Sequence, residues 1–330
     1  MAQGVDVCVI GGGVIGLATA WELHRRGLRV EIFDTPVGRL QASWAGGGIL
    51  SDLPPGSADA RLQPLLADSL ERYPAWCEAL REASGIDPQY WRCGAHIRQG
   101  DLELPSVAQV NNPRLLKSLR QALTLQGVAI HPHTVNEILI RAGRVVGVQA
   151  TGQSLACDRV VVAAGAWSAR LIPQLPVTPI KGEMLLYRAR PGLLDHIRLD
   201  DDFYLVPRRD GRILAGSTVE PSGFEPLPTV SARVLLHRKA CALLPELARV
   251  SIEDHWVGLR PGSPQGLPSI GAAPQAAGLF LNTGHYRLGI TLAPGSACLL
   301  ADRMLPLVRD PVPSVGPDVS QAIGVAKYQS

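Results

Sequence analysis

The chain has no cysteine pair that could clamp a metal or run a dithiol reaction. Its six cysteines are Cys8, Cys77, Cys93, Cys157, Cys241 and Cys298, and no two lie closer than 16 residues. That spacing excludes every Cys-x-x-Cys motif. Cys8 and Cys157 sit in or beside strand-like runs, where a free thiol packs as a small hydrophobe. Core thiols in a reducing cytoplasm are the expectation. His-Glu-x-x-His is absent too, and His131-Pro132-His133 has no third ligand nearby. It reads as a loop turn, so no metal is expected. Net charge is nearly missing: 32 basic against 29 acidic side chains leave +3. Basic pairs such as Arg25-Arg26, Arg208-Arg209 and Arg238-Lys239 are scattered, which argues against nucleic acid as a partner. No apolar run reaches the ~20 residues that span a bilayer. The longest, residues 7–21, is broken by Gly11-Gly12-Gly13. No basic segment precedes it, so neither a transmembrane helix nor a signal peptide is expected.

Glycine and proline are plentiful instead, at 34 and 27 of 330 residues. They are not periodic, which excludes collagen, and they interleave with apolar runs, which argues against a linker. Apolar residues reach 46% and charged ones only 18%, the balance of a core-rich globular chain. Single cores stop growing near ~250–300 residues, so two domains or one large insertion are expected at this length.

Val5–Ile10 is a β-rich run ending at glycines, and residues 14–26 read as a helix that buries the small residues Gly16, Ala18 and Ala20. Residues 28–33 are a second β-run, closing at Asp34. Such a β-α-β unit implies parallel strands and a right-handed crossover. Periodicity and caps predict helices over residues 65–83, over 113–125 with Asn112 as cap, over 230–244, and over 294–308 from Pro294. Strands are predicted over 128–131, 135–140, 145–150, 159–164, 253–260 and 279–282. Runs at 184–188, 203–207 and 213–217, with a turn at Arg209-Asp210-Gly211, imply antiparallel sheet.

Gly11-Gly12-Gly13-Val14-Ile15-Gly16 matches Gly-x-Gly-x-x-Gly, follows a β-run, opens a helix, and precedes a β-run ending eighteen residues past Gly16 at Asp34. This context marks a dinucleotide-binding turn. Gly11 permits the tight turn, Gly13 lets the backbone approach a pyrophosphate, and Gly16 lets helix and strand pack closely. The anion rests on the helix N-terminus, and Asp34 can accept from ribose hydroxyls. The turn does not choose between NAD and FAD. Two further segments bear on that choice. Val162-Ala163-Ala164-Gly165-Ala166-Trp167 ends a distant strand with small residues, and Ser43-Trp44-Ala45-Gly46-Gly47-Gly48 follows the second strand. The N–H groups of such a glycine run suit a flat or anionic ligand. A flexible loop is the alternative for that segment taken alone.

Together these segments resemble the D-amino-acid oxidase and glycine oxidase family of flavoenzymes. Pro179-Ile180-Lys181-Gly182-Glu183 resembles the family's turn before its antiparallel sheet, while Tyr204-Leu205-Val206-Pro207-Arg208 and residues 211–218 resemble its hairpin. Gly258-Leu259-Arg260-Pro261-Gly262-Ser263 resembles its substrate-binding strand end, and residues 282–294, containing Gly284-His285-Tyr286-Arg287-Leu288-Gly289, resemble its flavin loop and closing helix. The glycine-oxidase branch is the most similar.

The resemblance implies an α/β Rossmann-like FAD-binding domain (residues 1–85, 106–172 and 259–330) with an inserted mixed or antiparallel substrate domain (86–105 and 173–258). It implies oxidative deamination of glycine, sarcosine or a D-amino acid. Hydride passes to flavin N5, and O2 is the acceptor, giving H2O2. Flavin-binding positions carry over to Gly11, Gly13, Val14, Ile15, Gly16, Asp34, Thr35, Ser43, Ala45, Gly46, Gly47, Val135, Ala164, Gly165 and Trp167. They carry over also to Arg260, His285, Arg287, Leu288, Gly289, Ile290 and Thr291. Arg260 is expected to hold the substrate carboxylate, with Tyr204 as hydroxyl partner and Arg287 as lid or second anchor. The residues alone leave both arginines equally readable as surface ion pairs and Tyr204 as a packed core aromatic. Noncovalent FAD is expected, because the loop at 284–294 has no cysteine. A homo-oligomer follows by family analogy, and the pathway is thiazole formation for thiamine or amino-acid catabolism. Val219 stands where a pocket methionine is common, Gln265 where an aspartate is common, and the chain is abrupt at Gly100-Asp101, implying a reduced substrate cap and a more open site. Alternatives are a D-amino-acid dehydrogenase with another acceptor, an NAD-dependent dehydrogenase, and a non-catalytic nucleotide-binding protein.

Overall fold

The computed structural model describes residues 4–52, 59–221, 223–224 and 227–305. Strand β1 (Val5–Ile10) leads into helix α1 (Val14–Arg25) and back through β2 (Val30–Phe33). β1 and β2 pair in parallel, with Val7 opposite Val30. This is the parallel β-α-β unit that the spacing implies. Short elements follow, α2 (Ala42–Ala45) and β3 (Ile49–Leu50), then the long helix α3 (Gln63–Ser84), the small strands β4 (Ala95–Ile97), β5 (Leu102–Leu104) and β6 (Ala108–Gln109), and α4 (Asn112–Leu125). The cap of α4 is Asn111, whose side chain accepts from Arg114 N, and not Asn112. Asn112 is buried and donates to Gly46 O at 3.0 Å, tying the glycine segment to this helix.

Strands β7 (Ala129–His131), β8 (Val135–Arg141), β9 (Arg144–Ala150) and β10 (Gln153–Val162) precede the one-turn helix α5 (Ser168–Leu171). The second half supplies β11 (Thr178–Arg188), β12 (Ile197–Asp200), β13 (Phe203–Pro207), β14 (Arg212–Gly216), α6 (Val230–Leu243), β15 (Ile252–Gly262), β16 (Ser269–Ala272), β17 (Leu279–Thr283) and α7 (Gly289–Met304). Residues 179–183, expected as a turn, lie inside β11. The closing helix starts at Gly289, ahead of the expected Pro294, and the residues expected to end it near Val308 lie outside those described.

Two sheets carry the architecture. The first has the order β16-β17-β10-β1-β2-β7, with β8 and β9 folded beside β10. Its strands β17, β10, β1, β2 and β7 run parallel. One core cluster joins apolar residues of α1, α3, α4 and α7 to this sheet, and a second joins residues of β1, β8, β9, β10 and β17. The second sheet, β15-β11-β14-β13-β12-β4-β5, is antiparallel except where β12 meets β4. Leu236, Ala240 and Leu243 of α6 share a core with Leu185, Tyr187, Leu205 and Ile213 of this sheet. A further cluster packs Met184, Val206, Leu214 and Trp256 against Ala45 of α2. The parallel strands of the first sheet therefore end beside the face of the second sheet that looks toward α2.

Candidate active site

A cavity of about 400 Å³ opens where the carboxyl ends of β1, β2, β10 and β17 meet β13, β15 and the segment before α7. Ligands of open parallel sheets bind at this end. At its nucleotide end, Gly11 adopts φ +115°, and a Cβ there would overlap the carbonyl of Ala163. Gly16 does not line the cavity. A Cβ on it would overlap the carbonyl of Gly11, so its role is the close packing of helix on turn. Gly13 cannot cap α1 with a side chain, and Ser43 Oγ accepts from Val14 N at 3.0 Å in its place. Asp34 Oδ1 accepts from Gly12 N at 2.8 Å, and its other oxygen pairs with Arg120, which also donates to Gly12 O at 2.8 Å.

At the other end stand Tyr204, Arg260, Tyr286 and Arg287. Arg260 donates to Lys181 O at 3.3 Å, Thr218 O at 3.1 Å and Ser217 Oγ at 2.6 Å. No carboxylate pairs with it among the described residues. Burial pulls its pKa below the ordinary guanidinium value, and the neighbouring Arg287 adds to this. Arg287 meets Asp202 at 2.7 Å. Burial opposes its charge, but Asp202 and Tyr286 outweigh that and raise its pKa. Tyr204 lies against Gly47 and donates weakly to Met184 Sδ at 3.4 Å. His285 is buried with Nε2 3.0 Å from Ser296 Oγ, and burial depresses its pKa to about 3, so the ring is neutral near pH 7.

Helix α7 has no side-chain cap, and its first residues Gly289, Ile290 and Thr291 line the cavity. The N-termini of α1 and α7 thus bring unpaired N–H groups and two positive dipole ends to one space.

Comparison with known proteins gives the family. The family model described as FAD dependent oxidoreductase matches residues 6–97 and 95–303. The chain belongs to this family. Its architecture as an FAD-dependent oxidoreductase matches a glycine oxidase of Geobacillus kaustophilus with a TM-score of 0.89 at 28% identity, covering 100% of both chains. A curated glycine oxidase of Pseudomonas aeruginosa is 41% identical, covering 93% of this chain and 97% of the relative. An iminodiacetate oxidase of Chelativorans sp. BNC1 matches with a TM-score of 0.84 at 25% identity, covering 93% and 97%.

The cavity fits FAD. The glycine cradle and the α1 N-terminus suit a pyrophosphate, Asp34 and Thr35 lie at the end of β2, and the α7 N-terminus suits an electron-rich ring. Val14, Ile15, Ser43, Gly47, Val135, Ala164, Gly165, Trp167, Leu288 and the other carried-over positions line the same cavity, except Gly16, Ala45 and Gly46. Ala45 instead accepts from Trp256 Nε1 at 3.0 Å through its carbonyl. Val219, expected beside the pocket, is exposed and does not line it.

Sequence reasoning gives Arg120 and Ser217 no role, and takes Arg208 only as one of a scattered basic pair and as part of the hairpin segment. Arg208 donates to Gly47 O at 3.1 Å and Val110 O at 3.0 Å, and burial pushes its pKa down to about 10. Their partners lie far away in the chain, so no local spacing signals them. The family model matches in two segments that meet at residues 95–97, in β4, a few residues before Gly100-Asp101. Alignment to the Pseudomonas relative spans 354 positions but covers 93% of 330 residues, about 307, leaving about 47 without counterpart. Neither β4 nor β5 lines the cavity, because they form the far edge of the second sheet beyond β12. Among the described residues no group of three metal-binding side chains occurs, no helix is long and apolar enough to cross a membrane, and His131 contacts Glu31 at 2.7 Å.

Proposed function

We propose that this FAD-dependent oxidoreductase deaminates a small amino acid or amine, with glycine or an N-substituted glycine as substrate. Substrate, O2 and water become an oxo acid, ammonia or an amine, and H2O2. The observation that carries this reading is Arg260, a cavity-wall guanidinium with no carboxylate partner among the described residues. A half-buried cation of this kind calls for an anion, and a substrate carboxylate matches its fork. The names of the Pseudomonas and Chelativorans relatives point to the same substrate class.

Bound FAD supplies the acceptor for the two electrons removed from the substrate. Arg260 fixes the carboxylate, Tyr204 offers a hydroxyl beside it, and Arg287 closes the same end. Asp34 is the one carboxylate on the cavity wall among the described residues, and Gly12 and Arg120 occupy it. No acidic base is therefore placed for the substrate, and the amine reacts in its neutral form. The N–H groups at the start of α7 stabilise negative charge at the ring end of the cavity. FAD is held noncovalently: no cysteine lines the cavity among the described residues, and His285 Nε2 is engaged with Ser296. Six unpaired cysteines suit a cytoplasmic setting.

A peroxide assay over glycine, sarcosine, iminodiacetate and D-alanine tests this. Peroxide from at least one glycine-type substrate supports the reading. Reduction of an artificial dye without peroxide would transfer it to a dehydrogenase.

A further inference from the structure

Arg260 owes its position to a built seat that extends beyond the residues expected to touch substrate. Its floor is Gly182. A Cβ at this position would collide with the guanidinium carbon and both terminal nitrogens of Arg260. Gly182 has no left-handed backbone requirement, so its missing side chain serves this close approach. The walls are two backbone segments, β11 at Lys181 and the stretch 217–220 that follows β14. Lys181 N donates to Glu220 O at 2.8 Å, and Glu220 N returns a bond to Lys181 O at 2.9 Å. Thr218 Oγ1 accepts from Glu183 N at 3.0 Å. Lys181 Nζ then ties the segments electrostatically, 3.1 Å from both Glu183 and Glu220. Glu183 is wholly buried and is also held by His255 Nε2 at 2.7 Å and by Thr229 N at 2.9 Å.

We propose that Gly182, Lys181 and the strap at Ser217–Glu220 are positioning residues that set specificity for a substrate carboxylate by fixing the Arg260 guanidinium. This rests on the role of Arg260 given above. The seat takes three of the five guanidinium N–H groups through Lys181 O, Thr218 O and Ser217 Oγ. It holds the guanidinium in one place instead of leaving a freely rotating cation. A ligand then meets a prepositioned cation and loses less freedom on binding. Lys181 also balances the two acids that flank the seat, which keeps them from competing for Arg260.

The test uses the FAD-loaded enzyme and two readouts: steady-state kinetics on glycine, and titration with glycolate, a carboxylate without the amine, followed by the flavin spectrum. Gly182→Ala is expected to raise KM for glycine and Kd for glycolate together by at least about tenfold. The kcat at saturation stays within about threefold, and the ligand-free flavin spectrum is unchanged. Ser217→Ala, which removes one bond and adds no bulk, is expected to move both constants by a few-fold in the same direction. A fall in kcat with unmoved KM and unmoved glycolate Kd in both variants would overturn the proposal. Arg260→Met separates the two levels. If it leaves both constants unmoved, the role of Arg260 itself fails. If it raises both while Gly182→Ala and Ser217→Ala do not, only the seat fails.

Discussion

The Tyr73 hydroxyl donates to the carbonyl of Ile290 across the packed pair α3 and α7. That carbonyl would otherwise take the N–H four residues on, but the residue there is Pro294, which has none. Ser69 supports the same turn, donating to Thr291 O at 2.7 Å and accepting from Gly295 N at 3.1 Å. The proline-interrupted first turns of α7, whose N-terminus lines the cavity, are thereby tied to α3. Tyr73→Phe leaves a buried acceptor without a donor and is expected to cost about 1–3 kcal/mol of stability. Thermal unfolding of the apoprotein reads the loss, and flavin retention on dialysis is expected to fall with it.

The contact of Asp34 with both Gly12 and Arg120 closes the nucleotide turn from the side of α4. Arg120→Met leaves the carboxylate with the Gly12 bond alone. FAD affinity is expected to drop by about ten- to a hundredfold, in line with a charge-assisted bond of roughly 1.5–3 kcal/mol. Fluorescence titration of the apoprotein with FAD measures it, and kcat at saturating FAD should hold.

His285 gives the pH dependence its sign. Its folded pKa, about 3, lies below the ordinary imidazole value of 6.5 because burial disfavours the charged ring. Below about pH 6.5 the unfolded chain takes up a proton that the folded one refuses. The contribution is therefore complete above that pH and is lost as pH falls toward 3, at about 1.4 kcal/mol per unit. Between pH 7 and 5, denaturant unfolding should show the wild type losing about 2 kcal/mol more than His285→Gln.

Acid precipitation checks the mode of attachment. The yellow colour is expected in the supernatant, since no cysteine reaches the cavity among the described residues.

Much of this was legible in the sequence where a local pattern carries the physics. Gly11 to Gly16, the β-runs around them and the small residues after β10 are short-range signals, and all but Gly16, which packs α1 on the turn, converge on one cavity. The hairpin turn at Asp210-Gly211 was equally plain. The start of α7 was misplaced because Pro294 reads as a first-turn residue, while the hydroxyl that makes it tolerable comes from Tyr73, more than two hundred residues away. Asn112 was read as a cap because it precedes Pro113, but its neighbour Asn111 caps the helix and frees Asn112 for Gly46. The seat of Arg260 was hidden for the same reason. Arg260, Lys181 and Ser217 come from separate segments, and Gly182 looks in the sequence like any turn glycine.

Anaerobic mixing of the purified yellow protein with glycine tests the central claim most directly. The account expects the flavin absorption band near ~450 nm to bleach with glycine or an N-substituted glycine, and to return with peroxide when O2 is admitted. Arg260→Met should need far more substrate for the same bleaching. A yellow protein whose band is unmoved by glycine, sarcosine and iminodiacetate alike would contradict it.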